Sequence, residues 1–396
     1  PSSEAYVRAL RRAYDDAGID PSTVGYLEAH GSGLPAEDRL ESASLAEFFG
    51  TASSPRPCAL GSAKAVIGHA GAAGGLASVV KTALALYQEI LPPLGLTRPN
   101  PELEAAAKRF HAPIEPQYWF RNRAEGPRRA GVSSFGMDGT CLHAVLESLE
   151  NRPDEQGVQG ERRRPLRSRG GGIFLIPGPD AAALKEGLAR LKGWLSERDP
   201  AASGDALARD WRLSGGRNAE GSEGLCVSLV AEDWTELLKL ADEAAAAVAK
   251  DPERALGADR VYYSPNPLGR EGTTAFVFPG SGNQYLGMGR GLWTQWPEII
   301  RNLDAENGYL LEQFVPTLFS PWRLSWDGNW SAEAEAEVLR DYKAMIFGSV
   351  SHGAAVSDLL RRLGLKPRAM LGYSLGETAA LFATRAWTAR DEMLRR

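Results

Sequence analysis

Hydrophobic positions follow the periods of helices and strands along most of the chain and predict an α/β protein. Short apolar runs at Val24–Leu27 and Cys58–Leu60 predict strands. A long apolar helix follows His69, and we expect it to be buried on most sides because apolar residues surround its axis. The first helix is closed by Gly18, and its helically spaced apolar residues are Tyr6, Val7, Leu10, Tyr14 and Ala17.

Further strands are predicted after the apolar helix that follows His69. Val132–Phe135 and Leu142–Leu146 predict a hairpin, because a glycine-containing turn separates them. His143 falls within the second of these strands, and we interpret it as a structural residue. Ile173–Ile176 and Leu225–Val230 are each followed by a helical pattern, so this region predicts a small α/β unit.

The last part of the chain combines strands with an exposed turn. Thr274–Phe278 predicts a buried strand, and a glycine-rich loop follows it. A long helix ends at Gly364, and Ala369–Leu371 predicts another strand. Strand, Gly-x-Ser-x-Gly turn and helix predict a nucleophile elbow at Ser374, in which the glycines leave the serine hydroxyl exposed.

Composition restricts the class of protein. The 396 residues are 43% hydrophobic and 24% charged with a net charge of −5, so no basic field indicates a nucleic-acid partner. The stretch Leu76–Leu94 contains Lys81 and Glu89, which argues against a membrane span. The three cysteines are isolated, without the spacing of metal ligands or disulfides. We therefore predict a cytoplasmic protein that binds no metal, nucleic acid or membrane.

Changes in composition divide the chain into four segments. Residues 151–172 are polar and charged and predict a flexible linker. On either side we expect a domain over residues 1–150, a unit over 173–270 and a domain over 271–396. The chain begins inside one helical pattern and stops inside another, so we expect both outer domains to be incomplete.

Two histidines and a lysine mark the first candidate site. His30 follows a predicted strand, and ligands collect at the carboxyl ends of strands in α/β sheets. Lys64 and His69 lie in a glycine- and alanine-rich stretch whose small side chains allow close approach of a ligand. Asp38 and Glu41 open the next helix, where favourable charge at a helix N-terminus is a sufficient account of them.

Three stretches of residues 1–150 together resemble the C-terminal half of a β-ketoacyl synthase of the thiolase-like fold. They are EAHGSGLPAEDRLE from Glu28, GSAKAVIGHAGAAGG from Gly61 and RAGVSSFGMDGTCLHAVLE from Arg129. The resemblance implies decarboxylative Claisen condensation, with His30 and His69 as donors to an enolate oxygen and Lys64 as a fixed positive charge. It also implies a homodimer, a gating role for Phe135 and a nucleophilic cysteine in a preceding half.

A second resemblance covers the end of the chain. FPGSGNQ and GYSLGE resemble the FPGQGxQ and GHSxGE motifs of malonyl/acyl-CoA:acyl-carrier-protein acyltransferases, which contain an α/β-hydrolase-like domain. Carried over, Ser374 is the nucleophile, the N–H groups of Leu375 and Ser281 form the oxyanion hole, and Gln284 and Tyr373 contact substrate. Ser281 replaces the usual glutamine and Tyr373 the usual histidine. His352 lies 22 residues before Ser374 and is rejected as the base, because the resemblance places the base beyond the last residue.

Taken together, the chain resembles a fragment of a modular polyketide synthase or a polyunsaturated-fatty-acid synthase, with the small unit as the adapter between two enzymes. The resemblance implies acyl-CoA or malonyl-CoA substrates and an acyl carrier protein that bears phosphopantetheine, with no directly bound cofactor. A serine hydrolase or thioesterase using Ser374 stays an alternative, as does a non-catalytic, chain-length-factor-like partner. Retention of His30, Lys64 and His69 argues against that partner.

Overall fold

The computed structural model forms two compact units, one from residues 1–166 with 274–396 and one from 167–273. Most of the predicted linker, residues 151–169, lies outside the described part of the chain. Within that part, no helix is both long and apolar enough to cross a bilayer. The structure describes residues 1–50, 58–94, 100–104, 109–149, 170–215, 224–269, 272–318 and 330–396.

A five-stranded sheet forms the centre of the N-terminal part of the first unit, with strand order β4-β2-β1-β6-β7. Strand β1 is parallel to both of its neighbours, and β6 and β7 form the predicted antiparallel hairpin. The prediction for β1 began too early, since Val24 precedes the strand and packs in the core. The strands are β1 (Tyr26–Glu28), β2 (Cys58–Gly61), β4 (Phe110–His111), β6 (Arg129–Phe135) and β7 (Cys141–Glu147).

Helices flank this sheet. The first helix ends as predicted, because Gly18 adopts the left-handed conformation and its N–H bonds back to the last turn. Tyr6, Leu10 and Tyr14 project from one face of this helix into the core. The helices are α1 (Ser3–Ala17), α2 (Pro35–Gly50), α3 (Lys64–Ile67), α4 (Gly74–Gln88) and α5 (Pro101–Glu104), and β3 (Ile90–Leu91) pairs with β5 (Gln117–Tyr118).

The prediction that α4 is buried on most sides is wrong. Leu76, Val80 and Leu84 are 68%, 51% and 55% exposed and form one continuous stripe. The opposite side buries Ser78 and Thr82 instead. Small residues on that side let the helix approach the sheet closely, so Leu76, Val80 and Leu84 point away from it, whereas Leu86 near the end of the helix is buried.

The C-terminal part of the first unit contains two parallel strands, β12 (Ala275–Phe278) and β13 (Ala369–Gly372). Strand β12 was expected to be buried but is only half covered, since Val277 is 70% exposed. Helices α14 and α15 cover one face only, and alternate side chains of a strand point to opposite faces. The helices are α9 (Arg290–Gln295), α10 (Pro297–Glu306), α11 (Leu310–Gln313), α12 (Val315–Leu318), α13 (Trp330–Arg340), α14 (Tyr342–Arg362), α15 (Leu375–Ala383) and α16 (Arg390–Arg395).

The two parts of the first unit share a core and several ion pairs. Phe120 stacks on Phe314, with ring centroids 4.9 Å apart. Arg121 pairs with Asp304 at 2.9 Å, and Arg301 pairs with Glu89 at 2.8 Å. These contacts join segments that lie more than 180 residues apart in the chain.

The described residues of the second unit form an antiparallel sheet with three helices, and the strand order is β10-β11-β9-β8. The two predicted strands and both predicted helices are confirmed, and Asp180 and Asp233 cap the helices with their side chains. The elements are β8 (Gly172–Gly178), α6 (Ala181–Leu195), α7 (Gly204–Leu213), β9 (Leu225–Ala231), α8 (Trp234–Lys250), β10 (Leu256–Ala258) and β11 (Val261–Tyr263).

Candidate functional site

Glu41 holds the loop that carries His30. The backbone N–H groups of His30 and Gly31 donate to the two carboxylate oxygens of Glu41 at 2.7 and 2.8 Å. Glu41 is buried, and burial raises its pKa to about 7 although the backbone N–H groups oppose that shift. The account of Glu41 as a helix N-terminal charge is therefore insufficient. The Asp38 carboxylate accepts hydrogen bonds from Ser32 and Gly33 in the same loop.

The hydrogen bonds of His30 determine which of its ring nitrogens is free. Its Nδ1 accepts the N–H of Phe135 at 3.1 Å, and Lys64 Nζ lies 3.3 Å from the same atom. Burial, and then the charge of Lys64, lower the pKa of His30 to about 4. At neutral pH the ring is thus uncharged, and its proton is on Nε2.

A buried carboxylate, Glu28, fixes the backbone at the start of α3, where Lys64 lies. The Glu28 carboxylate accepts a hydrogen bond from the N–H of Ala63, the residue before Lys64. Lys64 Nζ in turn donates to the carbonyl of His30 at 2.7 Å, and burial lowers the pKa of Lys64. Among the described residues the buried acid pairs with Lys81, at 2.9 Å, rather than with Lys64.

His69 lies beside His30 with a similar bonding pattern. Its Nδ1 accepts the N–H of Gly71 at 3.1 Å, which leaves Nε2 to carry a proton when the ring is neutral. The two imidazole centroids are 5.7 Å apart and the rings are nearly perpendicular. Phe135 packs on His30 at 4.8 Å. The fold therefore brings together His30 and His69 from two loops, Lys64 from the start of α3 and Phe135 from the end of β6.

His143 is partly buried and packs against Tyr14 of α1 rather than belonging to this cluster. Its ring nitrogens bond to the hydroxyl groups of Ser133 at 3.0 Å and Tyr14 at 3.3 Å. These bonds agree with our interpretation of His143 as a structural residue. Within the described ranges, no group of three or more His, Cys, Asp or Glu side chains is arranged to hold a metal ion.

Ser374 occupies the strained turn that its sequence predicts. Its φ of 54° and ψ of −120° place a non-glycine residue in a sparsely populated region. A Cβ on Gly372 would lie 2.2 Å from the backbone of Gly376, and one on Gly376 would lie 2.1 Å from the carbonyl oxygen of Phe278. Both glycines are required because backbone passes this close to them.

The loop after β12 lies against this turn. A Cβ on Gly280 would be 3.5 Å from the Cβ of Ser374, so the neighbouring Ser281 is close to the elbow. Leu375 begins α15, with its N–H at the helix N-terminus. Gln284 is buried, and its side-chain oxygen has no hydrogen-bond partner among the described residues. Tyr373 is exposed.

His352 is committed to other contacts. Its Nε2 lies 2.9 Å from the Thr317 hydroxyl and 3.1 Å from the Met288 carbonyl. Burial lowers its pKa to about 4. It is the single histidine in residues 274–396 of the sequence. The geometry supports our rejection of His352 as the base for Ser374.

Glu28, Lys81 and the supporting role of Glu41 were not identified from the sequence. Glu28 is the first residue of the motif that contains His30, and its position at a strand end was the available signal. Burial of its charge depends on Lys81, 53 residues later, which periodicity cannot reveal.

Comparisons with known proteins agree with the first resemblance. Residues 1–96 match the family model of the β-ketoacyl synthase C-terminal domain. The chain is 31% identical over 392 residues to a mycocerosic acid synthase-like polyketide synthase of Mycobacterium tuberculosis, a match that covers 99% of this chain and 17% of that protein. It is 33% identical over 389 residues to the 5-methyl-1-naphthoate synthase of Streptomyces sahachiroi, with coverage of 96% and 20%.

A solved structure is also similar in sequence. Ketosynthase twelve of the bacillaene polyketide synthase of Bacillus amyloliquefaciens is 27% identical, and the match covers 61% of this chain and 39% of that one. Its TM-score of 0.35 is too low to establish a shared fold. The chain spans one-fifth or less of the length of the two curated relatives from Mycobacterium tuberculosis and Streptomyces sahachiroi.

Proposed function

We propose that this chain, whose residues 1–96 match the β-ketoacyl synthase C-terminal domain, supplies the oxygen-binding part of a polyketide synthase condensation site. The observation that carries the proposal is the arrangement of His30 and His69. Both rings use Nδ1 as an acceptor and their centroids are 5.7 Å apart, so each ring, when neutral, has an Nε2–H to donate. Neutral donors stabilise an oxyanion without transferring a full charge to it.

The reaction that suits these donors is decarboxylative condensation. The bond between the carboxylate and the α-carbon of a malonyl thioester breaks, CO₂ leaves, and the electron pair forms an enolate. Its oxygen would accept hydrogen bonds from His30 and His69 while the α-carbon attacks an acyl thioester and expels a thiolate. Lys64, fixed at the Nδ1 side of His30, disfavours protonation of that ring and keeps it a neutral donor.

Binding of a non-hydrolysable malonyl-pantetheine amide tests this assignment. We expect His69→Ala to weaken binding by about 10-fold, because one hydrogen bond to a charged oxygen contributes roughly 1.5 kcal/mol. Titration calorimetry of the full-length protein gives the affinities. Met137→Ala is the control, because Met137 is fully exposed on the β6–β7 turn. Equal affinities for wild type and His69→Ala would argue against the assignment.

The C-terminal part of the first unit supports a second activity, transfer of an acyl or malonyl unit from CoA through Ser374 to the phosphopantetheine of an acyl carrier protein. The specific observation is the strained serine beside the Gly280 loop. The serine oxygen would attack the thioester carbonyl and expel CoA thiolate, which takes up the serine proton to leave as the thiol, with the N–H groups of Leu375 and Ser281 facing the oxyanion. The site would act in the cytosol, within a homodimer that binds the carrier protein.

Intact-protein mass spectrometry after incubation with malonyl-CoA and acetyl-CoA tests this transfer. We expect an acyl adduct on Ser374 that disappears in Ser374→Ala. Ser281→Ala is the matched control, and we expect it to keep the adduct within about threefold, because only the backbone N–H of residue 281 faces the oxyanion. Fluorophosphonate labelling of Ser374 without an adduct from either CoA thioester would instead favour the hydrolase alternative.

A further inference from the structure

A carboxylate faces the donor atom of His30. Glu37 lies on the first turn of α2, and its Oε2 is 3.8 Å from His30 Nε2. The His30 side chain is 5% exposed and that of Glu37 is 20% exposed, so solvent only partly screens the pair. Glu37 is also close enough to Lys64 and Cys141 to influence both electrostatically. This side chain therefore points into the cluster rather than into bulk solvent.

The other acidic groups near His30 on α2 accept hydrogen bonds from the loop before the helix. Glu41 accepts the N–H groups of His30 and Gly31, and Asp38 accepts the hydroxyl of Ser32 and the N–H of Gly33 as described above. Within the described residues, the Glu37 carboxylate accepts no hydrogen bond. It is thus a carboxylate without a hydrogen bond of its own that lies beside His30 Nε2, with the Lys64 ammonium as the nearby cation.

In the proposed function, His30 Nε2 donates a hydrogen bond to the substrate. Because Nδ1 is occupied by the Phe135 N–H and approached by Lys64, Nε2 is the remaining polar position on the ring. An anionic oxygen bound there would lie several ångströms from the Glu37 carboxylate. Two like charges at this separation repel each other in a partly buried site, whereas a neutral ligand meets no such repulsion.

We propose that Glu37 is a specificity-determining residue, whose carboxylate competes with anionic substrate oxygens for the Nε2–H of His30. The site thereby binds thioesters that carry a free carboxylate, such as malonyl, less tightly than its donors would allow. Neutral acyl thioesters are not affected. This inference rests on the proposed function, because it takes His30 Nε2 as a substrate contact.

Glu37→Gln tests the proposal because it removes the charge and keeps the size. Affinities of malonyl- and acetyl-pantetheine amides are measured by calorimetry for the full-length protein and this variant. We expect malonyl affinity to rise by about 5- to 10-fold, as loss of roughly 1 kcal/mol of repulsion predicts, and acetyl affinity to change by less than about twofold. The matched control is Glu47→Gln, an exposed acid on the same helix, which should change neither affinity.

The outcomes separate this inference from the proposed function. The role of Glu37 is overturned if Glu37→Gln leaves the malonyl affinity unchanged or changes the affinities for both ligands equally. In that case the proposed function still stands if His69→Ala binds the malonyl amide more weakly than wild type. If neither wild type nor Glu37→Gln binds the malonyl amide, or if His69→Ala has no effect, both are overturned. Thermal unfolding of Glu37→Gln shows whether the variant is folded, and the ratio of the two affinities is insensitive to a uniform loss of folded protein.

Discussion

Acidification from pH 7 to pH 5 is expected to destabilise the first unit by several kcal/mol while the stability of the second unit changes little. All five histidines of the sequence lie in the first unit and none lies in residues 167–273. Burial lowers the pKa of four of them, to about 3 for His111 and about 4 for His30, His143 and His352. Each must remain uncharged in the folded state, but it can accept a proton when the chain unfolds.

The sign of the effect follows from proton binding. Below the unfolded-state pKa of about 6.5, the unfolded chain binds more protons than the folded chain, so the free energy of unfolding decreases as the pH is lowered. Each histidine loses roughly 2 kcal/mol between pH 6.5 and pH 5, and four of them lose about 8 kcal/mol. Glu41 opposes this loss because its folded pKa is raised to about 7. Its protonation between pH 7 and pH 5 returns about 2 kcal/mol, so a net loss of about 6 kcal/mol stands against a typical stability of 5–15 kcal/mol.

Hydrogen exchange of peptides from each unit, followed from pH 7 to pH 5, measures this difference after correction for the intrinsic exchange rate. Peptides of α14 should lose protection before those of α6 and α8. The variant His352→Gln provides a control with one fewer titrating group. It should be less stable than wild type at pH 7 but should lose about 2 kcal/mol less on acidification. Simultaneous loss of protection in both units would contradict the histidine mechanism.

The second large effect is expected from Gly376→Ala. The new methyl group would lie 2.1 Å from the carbonyl oxygen of Phe278 and 2.7 Å from that of Pro279, so β12 and its loop must move away from the elbow. We expect a loss of about 3 kcal/mol in the free energy of unfolding, at the upper end for overpacking. Displacement of Ser374 by about 1 Å should slow its labelling by a fluorophosphonate by about 100-fold.

Gly291→Ala is the matched control for this prediction. Gly291 lies in α9, and no atom lies within 4 Å of the position that its Cβ would occupy. Alanine there should stabilise the chain by up to about 1 kcal/mol, because it restricts the unfolded chain and favours the helix. Labelling of Gly376→Ala at the wild-type rate would show that the close backbone approach is not needed for an accessible Ser374.

Several features could be predicted because short-range rules determine them. The end of α1 at Gly18 required one left-handed residue, and the elbow at Ser374 required glycines at two nearby positions. The hairpin of β6 and β7 and the elements of the second unit followed from alternation, helical periodicity and capping aspartates. Each of these features depends on residues that are close in the chain, so the amino-acid sequence alone determined them.

Other features depend on contacts between distant segments, and only the tertiary structure decided them. Glu28 can be buried because Lys81 approaches from α4, and Glu41 becomes a support for His30 because α2 turns back toward β1. The apolar stripe of α4 faces outward because small residues pack closer to the sheet. Burial of a charge or an apolar side chain is set by what packs against it, whereas periodicity identifies only which residues share a face.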